Sequence, residues 1–106
     1  MKQGFSHENW SDEDGNPAGG VVSGCGFTIS WQNGPLGRGD DRKAPNGAFV
    51  EDVIDAVIKR IEFYQDNKFD CDENDKALVH LEWAAKALDR RTKDRETRSV
   101  EGTHKI

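Results

Sequence analysis

The residues best placed to do chemistry are arginines near the C-terminal end of the chain. Ala77, Leu81, Ala84 and Leu88 repeat at spacings of 4, 3 and 4, and continuing by sevens from Ala84 and Leu88 gives Arg91, Arg95 and Arg98. An apolar stripe thus becomes an arginine stripe on one helical face. Around it, Asp89 with Lys93, Arg90 with Asp94, and Asp94 with Arg98 stand at i,i+4, where opposite charges pair along a helix. Arg91 has Ala87 and Arg95 at those offsets instead. A guanidinium takes a carboxylate or phosphate through two parallel N–H bonds. The stripe therefore reads in one of two ways: a clamp for a small phosphate-bearing ligand, or a solvated basic helix end. Aromatic residues bear on the choice, because Trp31, Phe49, Phe63, Tyr64, Phe69 and Trp83 offer faces either for stacking a nucleobase or for packing a core.

Other chemistry finds little support. His7, His80 and His104 are scattered, and no HExxH pattern, Cys/His cluster or acidic metal-ligand run occurs. No phosphate-binding Walker loop or GxSxG elbow is present, and no serine lies beside a plausible histidine base, His7 next to Ser6 being in the tail. The reading is a binding protein without catalysis, metal or cofactor. Cys25 and Cys71 are far apart and form no CxxC pair, so two plain thiols are expected.

Two helices must carry the arginines. Val50, Ile54, Val57, Ile61 and Tyr64 form a seam spaced 4, 3, 4, 3, with Asn46 as a candidate N-cap and an end near 66–67. The second helix starts near Asp72, a candidate cap for the amide at Asp75, and runs to about Thr97. The short link makes an antiparallel hairpin. With residue 67 beside 72, Arg90 and Arg91 fall beside Phe49, where the open amides of the first helix attract anions. Charge follows the same gradient: residues 51–82 carry 4 basic and 10 acidic side chains, and residues 83–106 carry 7 and 4.

Upstream, Val21 to Trp31 is the one good strand candidate, with Phe27, Ile29 and Trp31 alternating with Thr28 and Ser30. Residues 36–46 supply no evident return strand, so a short hairpin or pairing with a partner subunit is expected. Residues 1–19 read as an acidic, flexible tail, with Phe5 and Trp10 able to dock, ahead of one domain spanning 20–106. The predicted class is α+β: a short N-terminal β element, strand or hairpin, then an antiparallel two-helix hairpin.

Composition adds a partner. Leu, Ile, Val and Phe make 21 of 106 residues, close to the roughly 20% below which charged chains stay unfolded, so part of the core is expected from a second copy. No apolar run approaches the ~18–20 residues of a membrane span, and the start lacks a signal-peptide layout, so a cytoplasmic homo-oligomer is expected. A net charge of -5 argues against indiscriminate nucleic-acid binding. A nucleic-acid-binding regulator using the arginine end, or an adaptor whose hairpin docks a protein, remain as alternatives.

Three stretches carry a family resemblance: Gly26 to Leu36, Asn46 to Ile54, and Phe63-Tyr64-Gln65. So do Glu73-Asn74 through Arg91-Thr92 and the closing Val100-Glu101-Gly102-Thr103-His104, the most specific piece. Over about residues 20–106 the chain resembles the phage Thoeris anti-defence sponge proteins, which share a helical hairpin with the anti-CBASS sponges. The resemblance implies an oligomer in the cytoplasm of an infected bacterial host. It implies binding of cyclic nucleotide immune signals, notably cyclic ADP-ribose isomers and in some members cyclic oligonucleotides, without cleaving them. It also implicates Phe63 or Tyr64 in stacking, Asn74 in hydrogen bonding to the base, and Arg91 against base or phosphate. The anion-site argument adds Arg95, Thr103 and His104. The sequence departs from the family pattern at Asp75-Lys76 and at Trp83.

Overall fold

A computed structural model describes residues 3–99 and 101–104. Its elements are β1 (Phe5–Ser11), β2 (Pro17–Gly24), β3 (Phe27–Trp31), a 3-10 turn (Gly39–Asp41), α1 (Val50–Gln65) and α2 (Asp72–Thr97). The strands form an antiparallel sheet in the order β1-β2-β3, and the class is α+β as the sequence predicts. The chain divides into two compact units. One contains the sheet, the loop to Phe49 and residues 101–104; the other is Val50–Ser99.

The start of the chain corrects the expectation of a tail, because residues 5–11 are a strand. Every residue of β1 is exposed, so apolar burial does not account for its order. Backbone pairing does so instead, with Phe5 opposite Gly24 and Asn9 opposite Gly20. The turn that follows is closed by Asp12, whose carboxylate accepts the amides of Asp14 and Asn16, both at 2.9 Å. The Asn16 amide is the main reason the Asp12 carboxyl lies below its ordinary value; desolvation opposes it, and the Asp14 amide and the His104 charge lower it further. Trp10 lies over Gly19, where a Cβ would come within 3.2 Å of the indole.

The strand candidate Val21 to Trp31 is divided into β2 and β3 by a turn at Cys25-Gly26. Gly26 has φ +87, a left-handed position that a side chain disfavours. The partner missing from residues 36–46 is thus found upstream, in β2. The outer edge of β3 gains a short parallel bridge to Ala48, whose N–H donates to the Ser30 carbonyl at 2.7 Å and whose carbonyl accepts from Gln32 at 2.9 Å. Asn46 does not cap α1. Its side chain accepts the Asn33 N–H at 2.8 Å and donates to the Asn33 carbonyl at 3.0 Å, tying this loop to the end of β3.

Residues 101–104 close against the loop beginning at Leu36, one of two buried apolar side chains among the described residues. Gly37 N–H donates to the Gly102 carbonyl at 2.7 Å, Arg38 Nη1 donates to the Glu101 carbonyl at 2.9 Å, and Arg42 Nη1 meets Glu101 Oε2 at 2.7 Å. The closing motif therefore has a structural role in its Glu and Gly. Val100, its first residue, lies outside the described residues.

In the second unit α1 and α2 form the predicted hairpin. Ile58 is its one buried side chain among the described residues, at 7% exposure, flanked by half-buried Val53, Ile54 and Ile61. From α2, Ala77, Leu78, Leu81, Ala84, Ala85 and Leu88 are half-buried, which follows the expected seam. Val50 and Val57 are exposed although the spacing placed them in the seam of α1. Asp72 is not the cap of α2: it is the first helical residue, and Cys71 precedes it in an extended conformation. Both cysteines are free and exposed.

Candidate functional site at the hairpin loop end

The loop end of the hairpin gathers aromatic rings, an amide and a guanidinium. Phe63 and Tyr64 close α1, and consecutive helical residues point about 100° apart, so their ring centroids stand 6.2 Å from each other at a tilt of 54°. Phe69, in the link, meets Tyr64 edge to face at 6.2 Å and 87°. Tyr64 is half-buried, whereas Phe63 is 54% and Phe69 69% exposed, leaving two rings open to a ligand. Asn74, in the first turn of α2, donates from Nδ2 to the Phe69 carbonyl at 3.2 Å. Its position is thereby linked to the ring cluster, and its Oδ1 remains an acceptor for a base edge.

Gln65 holds this end together. Its Nε2 donates to the Cys71 carbonyl at 3.0 Å and to Asp75 Oδ1 at 2.7 Å, while its Oε1 accepts the Cys71 N–H at 3.1 Å. A side-chain amide thus mimics a backbone partner for the residue that leads into α2. Asn67 adds a bond from Nδ2 to the Phe63 carbonyl. Across the helix end, Arg60 lies with its guanidinium carbon 5.2 Å from the Phe63 centroid and 5.0 Å from that of Tyr64. Its Nε donates to the Tyr64 hydroxyl at 3.2 Å. Arg60 was not singled out from sequence, and Gln65 entered only as the last residue of the Phe63-Tyr64-Gln65 stretch, without a role. The spacing that puts residue i against i+3 and i+4 was the available signal for Arg60; Gln65 had none, since its partners depend on the fold of the link.

The other expected site residues lie elsewhere. Arg91 is exposed and Arg95 half-buried, both on the distal part of α2. Arg91 follows Asn74 by seventeen positions of one continuous helix, which places it about 25 Å along the axis. One hairpin cannot bring the two onto one small ligand. With 16 residues in α1 and 26 in α2, the arginine end runs past the start of α1. Lys93 pairs with Asp89 at 3.0 Å, and Asp94 is taken by Arg98 at 3.0 Å. Thr103 and His104 belong to the sheet-bearing unit. Trp83 is 61% exposed, with Lys86 Nζ 5.7 Å above its ring. Among the described residues, no group of three His, Cys, Asp or Glu side chains is arranged to hold a metal. None of their helices is long and apolar enough to cross a membrane.

Comparison with known proteins falls on the same segment. The family model described as Acb2/Tad1, hairpin domain, matches residues 26–93, which takes in β3, α1, the link and most of α2. A protein of Bacillus phage SBSphiJ7 named Thoeris anti-defense 1 is 42% identical over 77 residues, covering 73% of this chain. The alignment covers 51% of that relative, so the chain spans about half the length of the curated protein it matches. The match to the family model covers well over half of the chain, together with the whole cluster built around Phe63, Tyr64 and Asn74; the chain belongs to the Acb2/Tad1 hairpin-domain family.

Proposed function

We propose that this is a phage anti-defence protein that binds cyclic nucleotide signals, cyclic ADP-ribose isomers foremost and cyclic oligonucleotides second, and withholds them uncleaved from a host defence effector. The observation that carries the reading is the hairpin end itself. Open rings of Phe63 and Phe69 stand beside Tyr64 and the Asn74 amide, inside the segment that matches the hairpin family. Rings stack a base through its π face, and an amide reads its edge. The groups gathered there can stack a base and bond to its edge, which supports the reading of a binding site. The name of the Bacillus phage relative supports the anti-defence role, in the cytoplasm of an infected bacterium.

The proposal includes a homodimer or larger assembly. Val50, Val57, Val79 and Trp83 of the hairpin each expose more than two-fifths of their surface, apolar area that a second copy would cover. An antiparallel pairing of hairpins brings Asn74 of one protomer toward Arg91 of the partner subunit, completing a pocket that one chain leaves open. Arg95 is the further hairpin residue proposed to line it, and Thr103 and His104 are proposed as ligand contacts of the sheet-bearing unit.

Isothermal titration calorimetry with cyclic ADP-ribose isomers and cyclic oligonucleotides tests the reading, followed by heat denaturation and chromatography of the released ligand. Tight binding with the ligand recovered intact is the expected result. Degraded ligand would make the protein an enzyme, and no binding sinks the proposal. For the shared pocket, Asn74→Ala and Arg91→Ala chains should each bind poorly, and mixing them should restore sites; failure of the mixture to bind refutes the antiparallel pairing.

A further inference from the structure

The hairpin end combines open stacking rings with an acidic surrounding, and that combination needs a local cation before it can hold a phosphate ester. Asp66, Asp70, Asp72, Glu73 and Asp75 crowd the link and the first turn of α2, against Lys68. An anionic ligand stacked there meets like charges unless a guanidinium or ammonium stands between. Lys59 is engaged with Glu62 at 3.6 Å on another face of α1. Arg91 of the same chain lies about 25 Å along α2 from Asn74, so within one hairpin it stands away from the rings. Arg60 is the cation in contact with the rings, 5.2 Å and 5.0 Å from the Phe63 and Tyr64 centroids.

Its geometry suits a phosphate. Nε is spent on the Tyr64 hydroxyl at 3.2 Å, which fixes the plane of the guanidinium. Two terminal nitrogens remain, and a guanidinium offers these as a paired fork. A ring-stacked guanidinium is also preorganised, since its rotamer is already held before a ligand arrives. We propose that Arg60 is the phosphate-binding residue of the hairpin end: a base stacks on the open ring of Phe63 or Phe69, and the Arg60 fork takes the ligand's phosphate. The inference rests on the cyclic nucleotide reading above and adds to it a residue that makes the site select nucleotides over nucleosides.

The test is calorimetry of the full chain with cyclic ADP-ribose across a series of salt concentrations. Arg60→Gln should weaken binding by about ten- to a hundredfold, as expected for loss of a charge-assisted pair. It should also flatten the dependence of log Kd on log salt, because one ion contact is gone. Arg60→Lys keeps the charge and should retain the wild-type salt slope while losing part of the affinity, since the fork is lost. Tyr64→Phe keeps the ring and removes the bond that fixes the Arg60 plane, so it should weaken binding less than Arg60→Gln does and retain the wild-type salt slope. Arg60 is exposed, so helix content by circular dichroism should be unchanged in each variant. Equal binding by wild type and Arg60→Gln overturns the inference while leaving the cyclic nucleotide reading intact. Weakened binding with an unchanged salt slope also overturns it, showing that Arg60 merely props the rings. Absence of binding by the wild type removes both readings together.

Discussion

Replacing Gln65 by alanine should loosen the hairpin end more than the exposure of that region suggests. The side chain makes two bonds to the backbone of Cys71, at 3.0 and 3.1 Å, and one to the Asp75 carboxylate at 2.7 Å. A neutral hydrogen bond contributes about 0.5–1.5 kcal/mol net, and one to a charged group somewhat more, with solvent-exposed bonds at the low end. Water replaces part of what is lost at this open site, so about 1.5 kcal/mol is the expected cost for all three. In a domain of this size that amounts to a fall of roughly 6–12 °C in Tm. Gln65→Glu should be worse than Gln65→Ala at neutral pH, because it keeps one bond to Cys71 but places a second carboxylate beside Asp75. Urea denaturation followed by circular dichroism gives the free energies, and calorimetry with cyclic ADP-ribose gives the effect on binding. Binding should weaken as well, because Cys71 leads directly into the turn that carries Asn74. A loss below about 0.3 kcal/mol, or Gln65→Glu at least as stable as Gln65→Ala, would refute the view that this side chain stands in for a missing backbone partner.

Three further outcomes are expected. Ile58→Ala should cost about 2–4 kcal/mol in urea denaturation, because Ile58 is the buried centre of a hairpin with little other apolar cover. Gly102→Ala should detach residues 101–104, since its φ is +79 and a Cβ would sit 2.5 Å from the Gly37 carbonyl oxygen; loss of amide-exchange protection at Gly37, whose N–H is bonded to Gly102, is the readout. Acid should open the β1–β2 turn: a depressed Asp12 carboxyl contributes stability that is full above its ordinary value of 3.8 and is lost as pH falls through the lower folded value. Asp12→Asn should remove that dependence, monitored by NMR shifts of the Asp14 and Asn16 amides.

The helices were legible because their information is periodic. Ala77, Leu81, Ala84 and Leu88 repeat along α2, and the helix ends at Thr97, as the run without glycine or proline implied. β1 was hidden because a strand held by its ladder needs no apolar alternation, and Phe5–Ser11 has none. Asn46 and Asp72 show the limit of capping signals, since both residue types suit a cap but each is used otherwise here. Asn46 bonds to Asn33, thirteen positions earlier, and that partnership depends on tertiary placement. The same reason concealed Gln65. Of the site residues, Phe63, Tyr64 and Asn74 come together because a short link forces helix ends to meet, whereas the arginine stripe stands far along α2.

That separation bears on how the proposed sponge would recognise its ligand. Arg60 serves the hairpin end from within one chain, 5.0 Å from the Tyr64 ring centroid, whereas Arg91 belongs to a point about 25 Å along the helix. The two cations therefore bear on different questions. A phosphate held by Arg60 requires one folded hairpin and sets how strongly the nucleotide is held there. A contact from Arg91 requires a second chain, and it sets how completely the ligand is enclosed. Slow release depends on enclosure, because affinity differences between related complexes lie mostly in the dissociation rate. Under the proposed function, a single hairpin would bind its ligand and release it quickly, and assembly would turn that binding into sequestration. The sparse core has the same consequence: the apolar side chains left exposed on one chain are the surface through which a second chain would close the pocket.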